Sequence, residues 1–235
     1  FQNNLMGAAA AAGGAAAAGF YTHQIANSCR FDGTAHMSDT RGSDGSTTTG
    51  TISIWFKRSK LGSYQYLMNA SEDGNNYCRL VIKDDDTLEF QNETGASMIF
   101  ELETTQVFRD TSAWMHFVGI IDMTNGTQGN RAQIWINGVR VTAFAVETYP
   151  ADASQVTALN TGATLRIGNN VESNYDWDGY LAEFVVIDGT AQAATDFGTS
   201  KNGVWIPDDP SGLTFGTNGV YLKYESSGDM GNDSS

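Results

Sequence analysis

Short runs in which apolar and polar positions alternate recur along the chain from residue 51 onward. TISIWFK at 51–57 points side chains to opposite sides in turn, and residues 78–82, 87–91, 114–121, 132–136 and 165–168 repeat the pattern. Period-two runs rich in β-branched and aromatic residues read as half-buried strands. Between them lie EDGNN at 72–76, DDD at 84–86, TNGT at 124–127 and NG at 137–138, the turn chemistry that joins antiparallel neighbours. Asn137-Gly138 is the sharpest hairpin signal. Only Pro150, Pro207 and Pro210 interrupt strand pairing, and no strand-helix alternation points to a parallel sheet. The expected fold is all-β, a two-sheet antiparallel sandwich or jelly roll. Helix is expected only in an N-terminal arm and in one short turn at 191–197.

Composition narrows this picture. A chain of 235 residues, 40% hydrophobic and 17% charged with 26 glycines, has enough apolar material for one large β domain, which excludes disorder for most of it. The formal net charge of -14 repels phosphates and anionic membrane surfaces, so nucleic acid and acidic lipid are poor partners. Cys29 and Cys78 form neither a disulfide framework nor a zinc spacing. One bridge is open to them, but two buried free thiols are the favoured reading.

Residues 1–29 contain no Asp, Glu, Lys or Arg, and 7–19 is a low-complexity Ala/Gly run. The segment lacks the basic start of a secretory signal and the strongly apolar stretch of a membrane span. Residues 1–27 therefore read as a docking arm that orders against another subunit, with an unattached tail as the alternative. Residues 28–207 read as the β domain and 208–235 as a C-terminal extension.

Specific strings then carry a resemblance. RFDGT at 30–34, TISIWFK at 51–57, WMHFV at 114–118, IWING at 134–138 and LRIG at 165–168 form an ordered series that resembles the concanavalin A-like, laminin G-type jelly roll. DGYLAEFVVIDG at 178–189 and GVWIP at 203–207 are similar to lectin-like domains in virion proteins of tailed bacteriophages, especially marine ones. GVYLKY at 219–224 and GNDSS at 231–235 look like a phrase from the same proteins, in which the polypeptide continues. The resemblance spans about residues 28–207. It implies a non-enzymatic lectin-like domain on a tail fibre or capsid appendage, located on the virion and held to other virion proteins by the arm. It further implies a homo-oligomer, a trimer foremost, and a host-surface glycan as ligand. A fold fixes function only by analogy, so a glycan-cleaving enzyme and a ligand-free structural decoration stand as alternatives.

The chemistry favours binding over catalysis. Glucanases of this fold carry closely spaced acids on one strand, Glu-x-Asp-x-x-Glu, and that pattern is absent. Glu101 and Glu103 share a face without a third acid, while Glu183 and Asp188 point to opposite faces. His23, His36 and His116 are scattered and support no triad. Asp84, Asp85 and Asp86 are the densest acidic cluster and the calcium candidate, against a solvated hairpin as the plain alternative. The loop with Asn174, Tyr175, Asp176 and Trp177 combines oxygen ligands with aromatic rings and is the leading carbohydrate site, in which Trp177 stacks on the sugar. The alternative has Trp177 packed under its own loop. Tyr64, Tyr66, Asn75, Asn76 and Tyr77 form a second aromatic patch. Glycosylation sequons at Asn69, Asn92, Asn125 and Asn232 are too common in Asn/Thr-rich β proteins to imply secretion.

Overall fold

The structure is a computed structural model that describes residues 19–153, 155–170 and 175–235. Among these run β1 (Cys29–Asp32), β2 (Met37–Thr40), β3 (Thr49–Arg58), β4 (Gln65–Asp73), β5 (Asn76–Ile82), β6 (Thr87–Thr94), β7 (Ser97–Val107) and β8 (Met115–Asp122). They are followed by β9 (Ala132–Ile136), β10 (Val139–Arg140), β11 (Phe144–Thr148), β12 (Thr164–Ile167), β13 (Asp178–Asp188), β14 (Gly198–Lys201), β15 (Val204–Pro207) and β16 (Val220–Leu222). Helix is limited among the described residues to single 3-10 turns, one of them at Ala194–Asp196, where the sequence places its short turn. No described helix is long and apolar enough to cross a membrane.

The first sheet has the order β1-β13-β3-β8-β9-β10, and β16 pairs with the same edge of β13 beyond the end of β1. The second has the order β11-β7-β6-β5-β4-β12-β2. All neighbours are antiparallel, the architecture of a jelly-roll sandwich. Alternate residues of β3 (Ile52, Ile54, Phe56), β8 (Phe117, Ile121) and β13 (Leu181, Phe184, Val186) face Leu80, Leu88, Phe90, Phe100 and Leu165 of the other sheet. Burial of each such side chain contributes roughly 1.5–3 kcal/mol. Phe90 sits edge-on to Phe100 at 4.9 Å and to Phe117 at 5.7 Å, which ties both sheets to one aromatic cluster. Cys29 and Cys78 are buried free thiols, and burial pushes Cys78 up to about 12.

The two outer faces differ. On the first sheet, Val118, Ile120, Val185 and Ile187 face away from the central core and are covered by Ala194, Phe197, Phe215 and Tyr221. Residues 208–235, expected as an extension, thus supply both a strand of this sheet and part of its cover. The hairpin of β14 and β15 adds Trp205, whose ring lies so close to Gly138 that a Cβ there would come within 2.2 Å of it. Asn137 (φ 49) and Gly138 (φ 73) make the tight turn between β9 and β10 that the sequence predicts.

His116 lies under this cover. Trp205 Nε1 donates to its Nδ1 at 2.9 Å, so the proton sits on Nε2 and is donated to Ser53 Oγ at 2.8 Å. The imidazole also stacks on Trp55 at 4.5 Å. Burial lowers its pKa to about 3 from 6.5. Between those values the unfolded chain binds a proton that the folded chain refuses, so the contribution of this group to stability falls as the pH drops below 6.5. Denaturant titrations of the parent and of His116→Gln across that window are expected to show a shallower slope in the variant, and equal slopes would contradict this account.

Candidate functional site

The second sheet leaves its outer face to polar and aromatic side chains. Met68, Ala70, Cys78, Leu80, Phe90, Leu165 and Ile167 point to the core. Their alternation partners Asn69, Ser71, Tyr77, Arg79, Glu89, Gln91, Thr164 and Arg166 therefore point the other way. Register aligns them in rows across the strands: Arg166 opposite Asn69, Asn69 opposite Arg79, Arg79 opposite Gln91, and Gln91 opposite Glu101.

At one end of this face a shallow cleft of about 180 Å³ is lined by Tyr66, Asn69, Ser71, Tyr77, Arg79 and Tyr175, among others. The Tyr66 N–H donates to the Tyr175 carbonyl at 3.0 Å, which pins the loop before β13 to the start of β4. Tyr175 then lies 5.1 Å from Tyr64 and 6.1 Å from Tyr66, ring centre to ring centre, and it is 44% exposed. Arg79 sits 4.4 Å from the Tyr77 ring centre and 5.7 Å from that of Tyr66, and its Nη1 donates to the Tyr66 hydroxyl at 3.0 Å. Tyr77 donates to Glu93 at 2.7 Å. Burial raises the Tyr64, Tyr66 and Tyr77 phenols, which stay neutral hydrogen-bonding groups, and burial likewise raises Glu89 against the opposing charges of Arg79 and Lys83. On the floor Asn69 is only 5% exposed, yet its Oδ1 has no hydrogen-bond partner. A buried amide oxygen left in this way is an acceptor set for a ligand donor.

The carbohydrate loop read from the sequence therefore divides. Tyr175 belongs to the cleft. Asn174 lies outside the described residues. Asp176 is half-buried, and its carbonyl accepts from Gln65 Nε2 at 3.1 Å. Trp177 is corrected: it is fully buried and meets Phe56 edge-on at 6.2 Å, so it offers no face to a sugar. The second aromatic patch contributes Tyr64, Tyr66 and Tyr77, so two separate sequence candidates are one place. Asn69, Ser71 and Arg79 were missed as site residues, although Asn-x-Ser at 69–71 and Tyr-x-Arg at 77–79 carry the same outward spacing.

The calcium reading is corrected as well. Asp86 turns inward with φ 70, and its carboxylate accepts from Arg58 Nη1 at 2.8 Å, Gly62 N at 2.9 Å and Arg109 Nε at 2.8 Å. Burial pushes this carboxyl up, but the Gly62 N–H and the two guanidinium groups outweigh it and hold it at about 2. Asp85 Oδ1 is occupied by the Thr87 N–H and hydroxyl, and Asp84 is exposed. Three consecutive turn residues thus diverge, and no group of three His, Cys, Asp or Glu side chains suited to a metal occurs among the described residues.

The acid pairs are structural in their contacts. Glu103 accepts from Lys83 Nζ at 2.7 Å and from Thr87 Oγ1 at 3.2 Å. Glu183 sits in the bulge of β13 with φ 45, bound to His23 Nε2 at 2.5 Å and to the Tyr221 hydroxyl at 3.2 Å. Asp188 accepts from Ser46 N at 2.7 Å and Asn218 N at 2.9 Å. A larger cavity of about 500 Å³ is lined by residues between Tyr21 and Ser28 together with Trp55, Trp114, Ala182 and Pro207.

A two-sheet antiparallel jelly roll of this kind is the scaffold of lectin-like domains. Residues 31–195 match the Concanavalin A-like lectin/glucanases superfamily, and the chain belongs to that family. Among solved structures it is similar to a heptameric SAP-like pentraxin from Limulus polyphemus, with 18% identity, TM-score 0.50, and coverage of 70% of this chain and 77% of that one. It is also similar to domain 4 of AbnA, an extracellular arabinanase from Geobacillus stearothermophilus solved with arabinotriose, with 17% identity, TM-score 0.52, and coverage of 70% and 72%. At these identities the likeness is one of fold. No match was found among curated proteins.

Because Trp177 is core, Trp177→Ala is expected to cost about 3–5 kcal/mol of stability, the range for emptying a large aromatic site. Thermal or denaturant unfolding checks this, and an unchanged midpoint would contradict the placement.

Proposed function

We propose that the chain is a non-catalytic glycan-binding domain whose site is the tyrosine-lined cleft on the outer face of the second sheet. The observation that carries the reading is the meeting of a tyrosine cluster, of which Tyr175 is exposed, with a buried amide whose oxygen has no partner. Sugars present both an apolar ring face and a fringe of hydroxyl groups. The rings of Tyr175 and Tyr64 suit the face, while Asn69, Ser71 and Arg79 suit the hydroxyls. The similarity in fold to an arabinanase domain solved with arabinotriose supports the same class of ligand. Engagement of Glu103, Glu183 and Asp188 in internal bonds supports binding without cleavage. The test is titration of the full chain with a panel of oligosaccharides. We expect binding without release of reducing ends, and a loss of about tenfold or more in Tyr175→Ala with an unchanged unfolding midpoint. Binding unaffected by that substitution, or cleavage of the sugar, would refute the reading.

The sequence resemblance to tailed-phage virion proteins supports a setting for this activity: display on a particle, docked through the uncharged Ala/Gly arm in an oligomer. Multivalent display raises the avidity of weak single sites. In that setting the full chain forms a defined oligomer in solution that a version beginning at Ser28 does not. Two monomers, measured by light scattering, would oppose a self-assembling arm.

A further inference from the structure

We propose that the glycan taken by this cleft is acidic, with a carboxylate or sulfate received by Arg79 and Arg166. The inference rests on the reading of the cleft as a sugar site and names the class of sugar.

In a chain with 27 acidic and 13 basic residues, a guanidinium inside the fold has acids in excess to pair with. Arg30, Arg41, Arg58, Arg109 and Lys83 do pair with carboxylates. Arg79 and Arg166 are both half-buried and, like Arg131 and Arg140, have no ion pair among the described residues, but Arg131 and Arg140 donate instead to backbone carbonyls. Register places them on the strands either side of β4, opposite Asn69 from left and right. All three residues lie on the same face, with the two arginine positions about 10 Å apart at the ordinary strand spacing. Each of the three keeps a buried polar atom without a hydrogen-bond partner: Arg79 Nε, Asn69 Oδ1 and Arg166 Nε. Arg79 is held in one orientation by Tyr66 and Tyr77, and Arg166 Nη1 lies 3.3 Å from His36 Nε2.

A partly desolvated guanidinium gains most from an anion that accepts two of its N–H groups, a need that hydroxyl groups meet poorly. The acids on this face set the direction of binding. Asp73 is taken up by Asn75 and Asn76, Glu93 by Tyr77, and Glu103 by Lys83, with Glu89 3.9 Å from the same ammonium. Glu89, Glu93, Glu101 and Glu103 all lie on β6 and β7. That half repels an anion and the two arginines attract it, so the charged group lies toward Arg79 and Arg166, the sugar ring faces the tyrosines, and a hydroxyl of the ring donates to Asn69 Oδ1.

The experiment is calorimetric titration of the full chain with two matched series: oligogalacturonates against their carboxyl-reduced counterparts, and a sulfated galactan oligosaccharide against its desulfated form. We expect at least one acidic member to bind about tenfold or more tighter than its neutral partner, with the advantage shrinking as salt rises. Which series shows it identifies carboxylate or sulfate. Arg166→Gln should erase the advantage while leaving neutral binding as it was, and Arg79→Gln should erase it while also weakening neutral binding through the hydroxyl contacts that Arg79 supplies. Arg79→Lys, which retains the charge and loses the fork, should keep only part of it, and an unfolding curve on each variant reports its fold. Equal or tighter binding of the neutral partners, or an advantage that survives both arginine substitutions, overturns the inference and leaves the cleft a sugar site. Binding to no member of either series, or binding indifferent to Tyr175→Ala, overturns the sugar site and the inference with it.

Discussion

Burial of one continuous apolar layer between the two sheets is the interaction on which everything else in the molecule depends. Phe56, Phe90, Phe117, Phe184 and Trp177 fill that layer. Because side chains along a strand alternate, fixing which residues face inward fixes which face outward. Asn69 faces out because Met68 and Ala70 face in, and Arg79 does so because Cys78 and Leu80 face in. The site is thus a by-product of core parity, and a one-residue slip of β4 or β5 would bury its polar groups and expose the core.

The two sheets are unequal in consequence. The first is apolar on both faces, and the chain returns from residue 190 onward to cover it, with Phe197, Phe215 and Tyr221 packed on Val118, Val185 and Ile187. The second has one apolar and one polar face. A fold with one double-sided and one single-sided sheet has one broad surface free for recognition, and here that surface holds the tyrosine cluster.

Much of the fold was legible because regular strands announce themselves. The runs at 51–57, 78–82, 87–91, 114–121, 132–136 and 165–168 became β3, β5, β6, β8, β9 and β12, and Asn137-Gly138 became a hairpin turn. Two long strands not read, β4 and β7, are ones in which the alternation breaks. In β4 a register shift between Tyr66 and Met68 sends Leu67 and Met68 both inward, and a shift at Asn92/Glu93 does the same for Ile99 and Phe100 of β7. The site was half legible for a related reason. Tyr175 and the Tyr64–Tyr66 pair were visible as aromatic positions, but their union depends on a backbone hydrogen bond between residues more than a hundred positions apart. Trp177 was misread because a loop tryptophan and a core tryptophan look alike in sequence, and the choice is made by the space above Phe56. Asp84, Asp85 and Asp86 read as a cluster although the positive φ of Asp86 sends its carboxylate to two arginines.

The central claim is that recognition happens on the outer face of the second sheet. It is tested most directly by amide chemical-shift mapping of the labelled full chain during titration with an oligosaccharide that it binds. The account requires the largest shifts at Tyr66, Asn69, Arg79 and Tyr175, with the first sheet silent. Shifts centred instead on His23, Trp55 and Trp114, around the larger cavity, would contradict it.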